Sequence, residues 1–280
     1  MTAASTLADK IREARESDLN RSFSYHSRVS TKYKVVCMTV PKVACSTIKL
    51  ILNHLDGEAD PEHIGEVHNR GRRLTDFSVK ENVEMLTSGE WYRFAFVRNP
   101  YDRLLSAYKS KVGIWGDGEY AWLQQAIRAE YDYPTHPEGW VATPAFRDFV
   151  RYLISHWDQV GRDGHLNLQS NILAHELIQY DSVKWFFYFV DEFRRILGER
   201  GAPQDEIDRV SVRNNATLPV HHPLAYDKEL ADIVYDLYRD DFDRYGFERN
   251  SWLYGADARH VHSLLSGVIG DLPQFPVKLE

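Results

Sequence analysis

The chain has 280 residues, of which 43% are hydrophobic and 13% aromatic, and a formal net charge of −7 at neutral pH. A chain of this size can bury one large core, and its acid excess argues against a general nucleic-acid surface. Its most apolar stretch, WFFYFV at 185–190, is far too short to cross a bilayer, and the polar N-terminus lacks the apolar region of a signal peptide, so neither membrane insertion nor secretion is expected.

In chain order, residues 1–30 are polar and read as a helix followed by an approach segment. Val35, Val36, Cys37, Met38, Thr39 and Val40 form a short apolar, β-branched run, the pattern of a strand buried on both faces. Ile48, Ile51, Leu52 and Leu55 then repeat at helical spacing, so a helix starting near Ser46 packs back on the sheet. The turn between them, PKVACST at 41–47, has no glycine. Such a strand-to-helix turn aims the first amides of the helix, with the positive end of the helix dipole, at the crevice beyond the sheet. Lys42 adds a cation there, and Ser46 and Thr47 add hydroxyls. No G-x-x-x-x-G-K-[ST] sequence occurs, which disfavours an ATP or GTP loop. An ordinary turn with a solvated Lys42 and Ser46 as N-cap fits this stretch equally well.

Residues 56–75 and 114–145 carry the Gly, Pro and acidic residues of long loops. In the first of these, Arg70, Arg72 and Arg73 form a basic knot, suited to an anionic acceptor or to solvent. Trp91 to Val97 reads as a second strand with Arg98 at its end. Asn99 is a good N-cap and Pro100 a favoured first helical residue. The helix that follows turns Tyr101, Leu104, Leu105 and Tyr108 to the core, which leaves Arg103 and Ser106 facing the crevice or solvent. Arg98 and Ser106 together suit one phosphate.

Later, Phe146, Phe149, Val150, Leu153, Ile154 and Trp157 mark a helix, VKWFFYFV a further central strand, and Leu230, Ile233, Val234, Leu237 and Tyr238 a late helix after Pro223. Strands alternating with helices predict an α/β fold in three αβα layers around a mainly parallel sheet, with ligands at the carboxyl ends of the strands. One domain over 1–280 is expected, with a helical segment at 1–30, a core over 33–247 and an extension over 248–280. Cys37 and Cys45 are expected as free thiols, and no Cys/His cluster has zinc spacing, so no metal is predicted.

The pair PKVACSTIK and VRNPYDRLLSAY resembles the two cofactor motifs of PAPS-dependent sulfotransferases, closest to the carbohydrate sulfotransferases of the Golgi and their bacterial relatives. Weaker echoes are FRDFVRYL, HLNLQSNIL, YDSVKWFFYFVDEF, RNNATLP and YRDDFDRYGF, so the likeness covers roughly 33–247. The resemblance implies a P-loop-like 5′-phosphosulfate loop at Lys42, Val43, Ala44, Cys45, Ser46 and Thr47. It also implies a 3′-phosphate site at Arg98 and Ser106, both serving 3′-phosphoadenosine 5′-phosphosulfate (PAPS, leaving as PAP). Thr47–Ile48 stands where the Golgi members usually have Asn-Trp, and Leu166 and Leu168 replace a Trp and a Pro, departures on the acceptor side. The Golgi members carry a membrane anchor, and its absence from these residues suggests a cytoplasmic member of bacterial type.

The implied reaction is in-line transfer of a sulfuryl group to an acceptor hydroxyl on a glycan or glycolipid, or on a small natural product. Lys42 is the expected stabiliser of leaving-group charge. A base with a pKa near working pH favours histidine. His68 in EVHNR is the first candidate, with His165, His63 and the carboxylate of Glu66 as alternatives. Two other classes remain: a nucleotide or sugar kinase on a related fold, which would bind ADP rather than PAP, and a catalytically silent PAP-binding protein.

Overall fold

The computed structural model describes residues 3–17, 22–113, 118–134, 142–210 and 225–253. The predicted extension past residue 253, the RNNATLP stretch and Pro223 lie outside them. Helix α1 (Ala3–Glu16) precedes β1 (Ser27–Ser30), and β2 (Val35–Met38) follows after a tight turn. All four β2 side chains are buried, as a strand covered on both faces requires.

From β2 the chain passes through α2 (Cys45–Leu55) and α3 (Val79–Thr87) to β3 (Tyr92–Val97). It then runs through α4 (Pro100–Lys111), α5 (Ala121–Glu130), α6 (Phe146–Ser155), α7 (Trp157–Val160) and α8 (Gln169–Leu173) to β4 (Ser182–Trp185). Helices α9 (Phe189–Glu199), α10 (Gln204–Asp208), α11 (Lys228–Leu237) and α12 (Arg239–Tyr245) complete the described chain.

The sheet order is β1-β2-β3-β4. Strands β2, β3 and β4 are parallel, with Cys37 opposite Phe94 and Val97 opposite Trp185, and β1 is antiparallel to β2. The expected three-layer α/β arrangement with a mainly parallel sheet is therefore present. Two apolar clusters carry it. One gathers the sheet with α1, α2, α3 and α9, and the other is built by α4, α5, α6, α11 and α12. Among the described residues no helix is long and apolar enough to cross a membrane.

Three expectations need correction. The approach segment ends in a strand, β1, whose SRVS sequence is too polar to announce itself; pairing with β2 makes it. The predicted central strand VKWFFYFV stops at Trp185 and lies at the edge of the described sheet. Phe189, Phe193, Ile196 and Leu197 repeat at helical spacing and are fully buried, so the helical period overrides the aromatic β-preference. Within the expected loop of 114–145, α5 buries Leu123 and Ile127, one turn apart.

Candidate functional site

The loop between β2 and α2 answers its lack of glycine by strain. Lys42 and Ala44 both adopt left-handed backbone, with φ of 69° and 51°, at a cost of about 1–2 kcal/mol each for a residue with a Cβ. Ala44 is the N-cap of α2, with no side-chain cap. Loops of this backbone type turn successive amides into an anion-binding concavity, here continuous with the N-terminus of an eleven-residue helix. Of the loop residues expected to line it, Val43 is fully buried in the core and its N–H donates to Val40 O at 3.2 Å. It anchors the loop from beneath. Cys45 opens α2 and is half-buried; Ser46 and Thr47 are buried on its first turn.

The loop is held from outside. Thr39 donates its N–H and its hydroxyl to His26 O at 2.7 and 2.8 Å, and His26 Nδ1 lies 3.1 Å from Thr39 O. Burial and then the charge of Lys49 push the His26 pKa down to about 3. Arg103 Nε donates to Pro41 O at 3.2 Å, while its two Nη groups donate to Asn167 O and Gly164 O, both at 2.7 Å. Arg103 is thus a buried strut between the loop and residues 164–167, neither in the crevice nor in solvent as its helical position suggested. A Cβ on Gly164 would meet the His26 ring at 2.8 Å, so this segment lies directly against the loop's base.

The second motif starts as the sequence predicts. The Asn99 side chain accepts from Tyr101 N at 3.0 Å and Pro100 is the first residue of α4. Arg98 is fixed at both ends. Gln169 Oε1 accepts its N–H at 2.9 Å and Gln169 Nε2 donates to its carbonyl at 2.8 Å. The buried Asp241 carboxylate accepts in turn from Gln169 N and Ser170 N, both at 2.8 Å. The Arg98 guanidinium lies over the Phe186 ring, 5.2 Å from its centre, and donates to Lys42 O at 3.1 Å. Burial lowers its pKa, against the charge of Asp102.

Arg103, Ser106 and Ser110 share one face of α4 by their spacing. Since Arg103 reaches Pro41 and Ser110 accepts from Lys42 Nζ at 2.9 Å, that face, with the buried Ser106 on it, looks onto the PKVACST loop.

Two histidines border the loop. His68 ends a short 3-10 turn (Ile64–His68), and its carbonyl accepts from Arg28 at 3.0 Å and Arg73 at 3.2 Å. Its Nε2 is 3.1 Å from Ser46 Oγ and its Nδ1 3.1 Å from Lys49 Nζ. Lys49 also donates to Tyr25 O and sits 4.5 Å from the centre of the Tyr25 ring, which stacks on His68. Burial, then Lys49 and Arg28, push the His68 pKa down to about 3; burial and then Arg28 bring Lys49 to about 7.

His165 has a different setting. Its Nδ1 is 3.1 Å from Asp163 Oδ1 and 3.0 Å from the Tyr120 hydroxyl, which donates to Asp163 Oδ2 at 2.7 Å. Burial lowers the His165 pKa while Asp163 opposes it, and the charges of Lys111 and Lys42 reach it. Burial would raise Asp163, but the hydrogen bonds of His165 and Tyr120 hold its carboxyl below the usual range. Of the other candidates, His63 is exposed and Glu66 is paired with Arg70. The basic knot divides: Arg73 turns inward to His68, and Arg72 is exposed.

Lys49, Asp163 and Gln169 did not stand out in the sequence. Lys49 lies one turn past Ser46 and Asp163 two residues before His165, spacings that carry meaning only once the histidines are in place.

The profile of the Sulfotransferase family matches residues 25–248. Carbohydrate sulfotransferase 9 of Homo sapiens is 27% identical over 228 residues, 76% of this chain and 51% of that protein. Carbohydrate sulfotransferase 8 of Homo sapiens is 27% identical over 238 residues, 79% and 55% respectively. Carbohydrate sulfotransferase 10 of Danio rerio is 32% identical over 152 residues, 50% and 40%. The chain spans about half the length of the curated relatives it matches. No solved structure matches it significantly.

Proposed function

The chain belongs to the sulfotransferase family, and on that premise we propose that it transfers a sulfuryl group from PAPS to a hydroxyl of a carbohydrate acceptor. The observation that carries this reading is the 3.1 Å bond from Arg98 to Lys42 O. It joins the carboxyl ends of β2 and β3, where α/β sheets bind their ligands. The residues suit a ligand that is anionic at both ends: a left-handed loop backed by a helix N-terminus at one end, and a desolvated guanidinium with a buried hydroxyl at the other.

In this reading Ala44, Cys45, Ser46 and Thr47 hold the 5′-phosphosulfate end with Lys42, and Arg98 and Ser106 hold the 3′-phosphate. When bound, PAPS supplies a sulfuryl group already attached to a phosphate leaving group. The protein positions it and balances charge. Lys42, which donates to Ser110 here, turns to meet the negative charge that develops on the leaving oxygen, beside loop amides already in place. The carbohydrate acceptor is supported by the relatives, which are carbohydrate sulfotransferases.

Calorimetry with PAP and with ADP tests the reading. PAP should bind and ADP should bind far more weakly. Arg98→Ala should weaken PAP by about 2–4 kcal/mol, since it leaves a phosphate without its paired donors. Lys42→Ala should lower kcat for transfer of labelled sulfate roughly 100-fold while PAP affinity falls less. A protein that ignores PAP, or an Arg98→Ala variant with wild-type affinity, would sink it.

A further inference from the structure

Behind the first turn of α2 lies a knot of cations that no acid balances. Lys49 and Arg28 are each only 1% exposed, and Arg73 is half-buried beside them. Arg28 donates to the carbonyls of Ser27, Val67 and His68, and Arg73 donates to His68 O. Lys49 Nζ meets Tyr25 O at 3.2 Å, His68 Nδ1 at 3.1 Å and the face of the Tyr25 ring. Among the described residues none of the three side chains pairs with a carboxylate.

A guanidinium stays charged at neutral pH even when buried, whereas a buried ammonium without a counter-charge gives up its proton, so Lys49 is the member of the knot that titrates. Burial, and next the charge of Arg28, bring it to about 7. Facing it are Tyr25, His26 and Arg28 from the chain up to and within β1, Cys37 on β2, Cys45 on its own helix, and His68 and Arg73 from the loop that follows. Both histidines are pushed down to about 3, first by burial and next by Lys49, and burial pushes the Cys37 thiol up, so none of these three carries charge near neutral pH. Ser46 and Lys49 lie nearly one turn apart on α2 and meet opposite edges of the His68 ring, Ser46 Oγ at Nε2 and Lys49 Nζ at Nδ1, each at 3.1 Å. An anion held at the N-terminus of α2 therefore stands about one imidazole away from a buried amine with no counter-charge. At that separation, in a partly buried site that salt screens poorly, opposite charges move a pKa by about one unit or more.

Resting on the sulfotransferase reading above, we propose that Lys49 is a further positioning residue of the donor site: it takes up a proton as the 5′ end of the donor docks, and its charge then holds that end from behind the first turn of α2, through His68 and Ser46. The proton comes from solvent and stays on Nζ, and no covalent bond between heavy atoms changes. The free protein leaves Lys49 partly neutral near pH 7 while the complex keeps it charged, so PAP affinity falls as pH rises through a window that opens near 7 and closes at the higher pKa of the complex. Below that window Lys49 is charged in both states, and the dependence on pH through this group vanishes.

NMR of the wild-type protein labelled at lysine, read at the ε carbon, tests this without turnover. One lysine should titrate near 7 in the free protein and move up by about one pH unit or more with PAP, and its signal should be missing from Lys49→Arg. Calorimetry of PAP binding at about pH 8, in buffers of different ionisation enthalpy, counts the protons. Phosphate groups are already ionised there, with a second pKa of about 6, so uptake of about half a proton or more per PAP reports the protein. Lys49→Arg, charged throughout, should show no uptake and a flat PAP affinity where the wild type loses up to about tenfold per pH unit above 7. Cys45→Ser should keep the uptake. A wild-type protein that binds PAP at about pH 8 without taking up a proton, or that has no lysine titrating below about pH 9, would overturn the proposal alone, whether or not the variants fold. A wild-type protein that does not bind PAP would overturn the sulfuryl-transfer reading and this proposal together.

Discussion

The two strand-to-helix loops of the site meet the same demand by different means. After β3 the turn is specified by its own residues: Asn99 caps α4 with its side chain and Pro100 supplies the first helical φ. After β2 there is neither a side-chain cap nor a glycine, and two residues sit in left-handed backbone. That conformation is imposed by His26, Arg98 and Arg103, which are distant in sequence or across the sheet. A locally specified loop loses only what its own residue contributes. An imposed loop fails when its supports fail, and stores strain that the supports must offset.

The largest expected effect breaks the imposed loop. Arg103→Ala strips the donors from three carbonyls and leaves a cavity, so it should cost about 3–5 kcal/mol in urea unfolding and weaken PAP binding as well. An intact loop, read as wild-type PAP affinity, would show that the strut serves only the core.

Acid should act on the same loop. His26 has its folded pKa pushed down from 6.5 to about 3 by burial and then by Lys49, so below pH 6.5 the unfolded chain takes a proton that the folded one refuses. Its share of stability is complete above that pH and lost at up to roughly 1.4 kcal/mol per pH unit as pH falls toward 3. Chemical denaturation across pH should show a shallower decline in His26→Gln than in the wild type. Identical slopes would contradict it.

The locally specified loop should yield less. Asn99→Ala removes one cap and should cost about 1 kcal/mol, with α2 and PAP binding little changed. Smallest, and of opposite sign, is Ala44→Gly. Relief of left-handed strain, less the added freedom of the unfolded chain, should stabilise the protein by about 0.5 kcal/mol. A loss of stability there would mean that the Ala44 methyl packs for more than its strain costs.

The same contrast decides what the sequence reveals. Val35–Met38, Tyr92–Val97 and the Asn-Pro start of α4 are legible because period and capping are local. The left-handed backbone at Lys42 and Ala44 is not, since no glycine marks it and its causes lie at residues 26, 98 and 103. Arg103 reads as facing the crevice or solvent and Arg28 stands in no motif, yet each is almost wholly buried on backbone carbonyls. Motif likeness singled out the PKVACST loop, Arg98 and both histidines. It could not say what each histidine touches, because that depends on Lys49, Asp163 and Tyr120, whose meaning is tertiary. The aromatic run at 185–190 misled for a related reason: burial of Phe189 and Phe193 on a helical face outweighed β-propensity.

Gln169 also orders events in time. It holds both backbone groups of Arg98, and is itself held by Asp241. Asp241 follows Arg98 by 143 positions (241 − 98) in the chain. At a synthesis rate of about 5–20 residues per second, the last support of Arg98 emerges roughly 7–29 s after the arginine itself. A nascent chain with α2, β3 and α4 already made thus still lacks the support that fixes Arg98. Late arrival of Asp241 makes the setting of Arg98, and with it the join between the two strand-to-helix loops, a property of the completed chain.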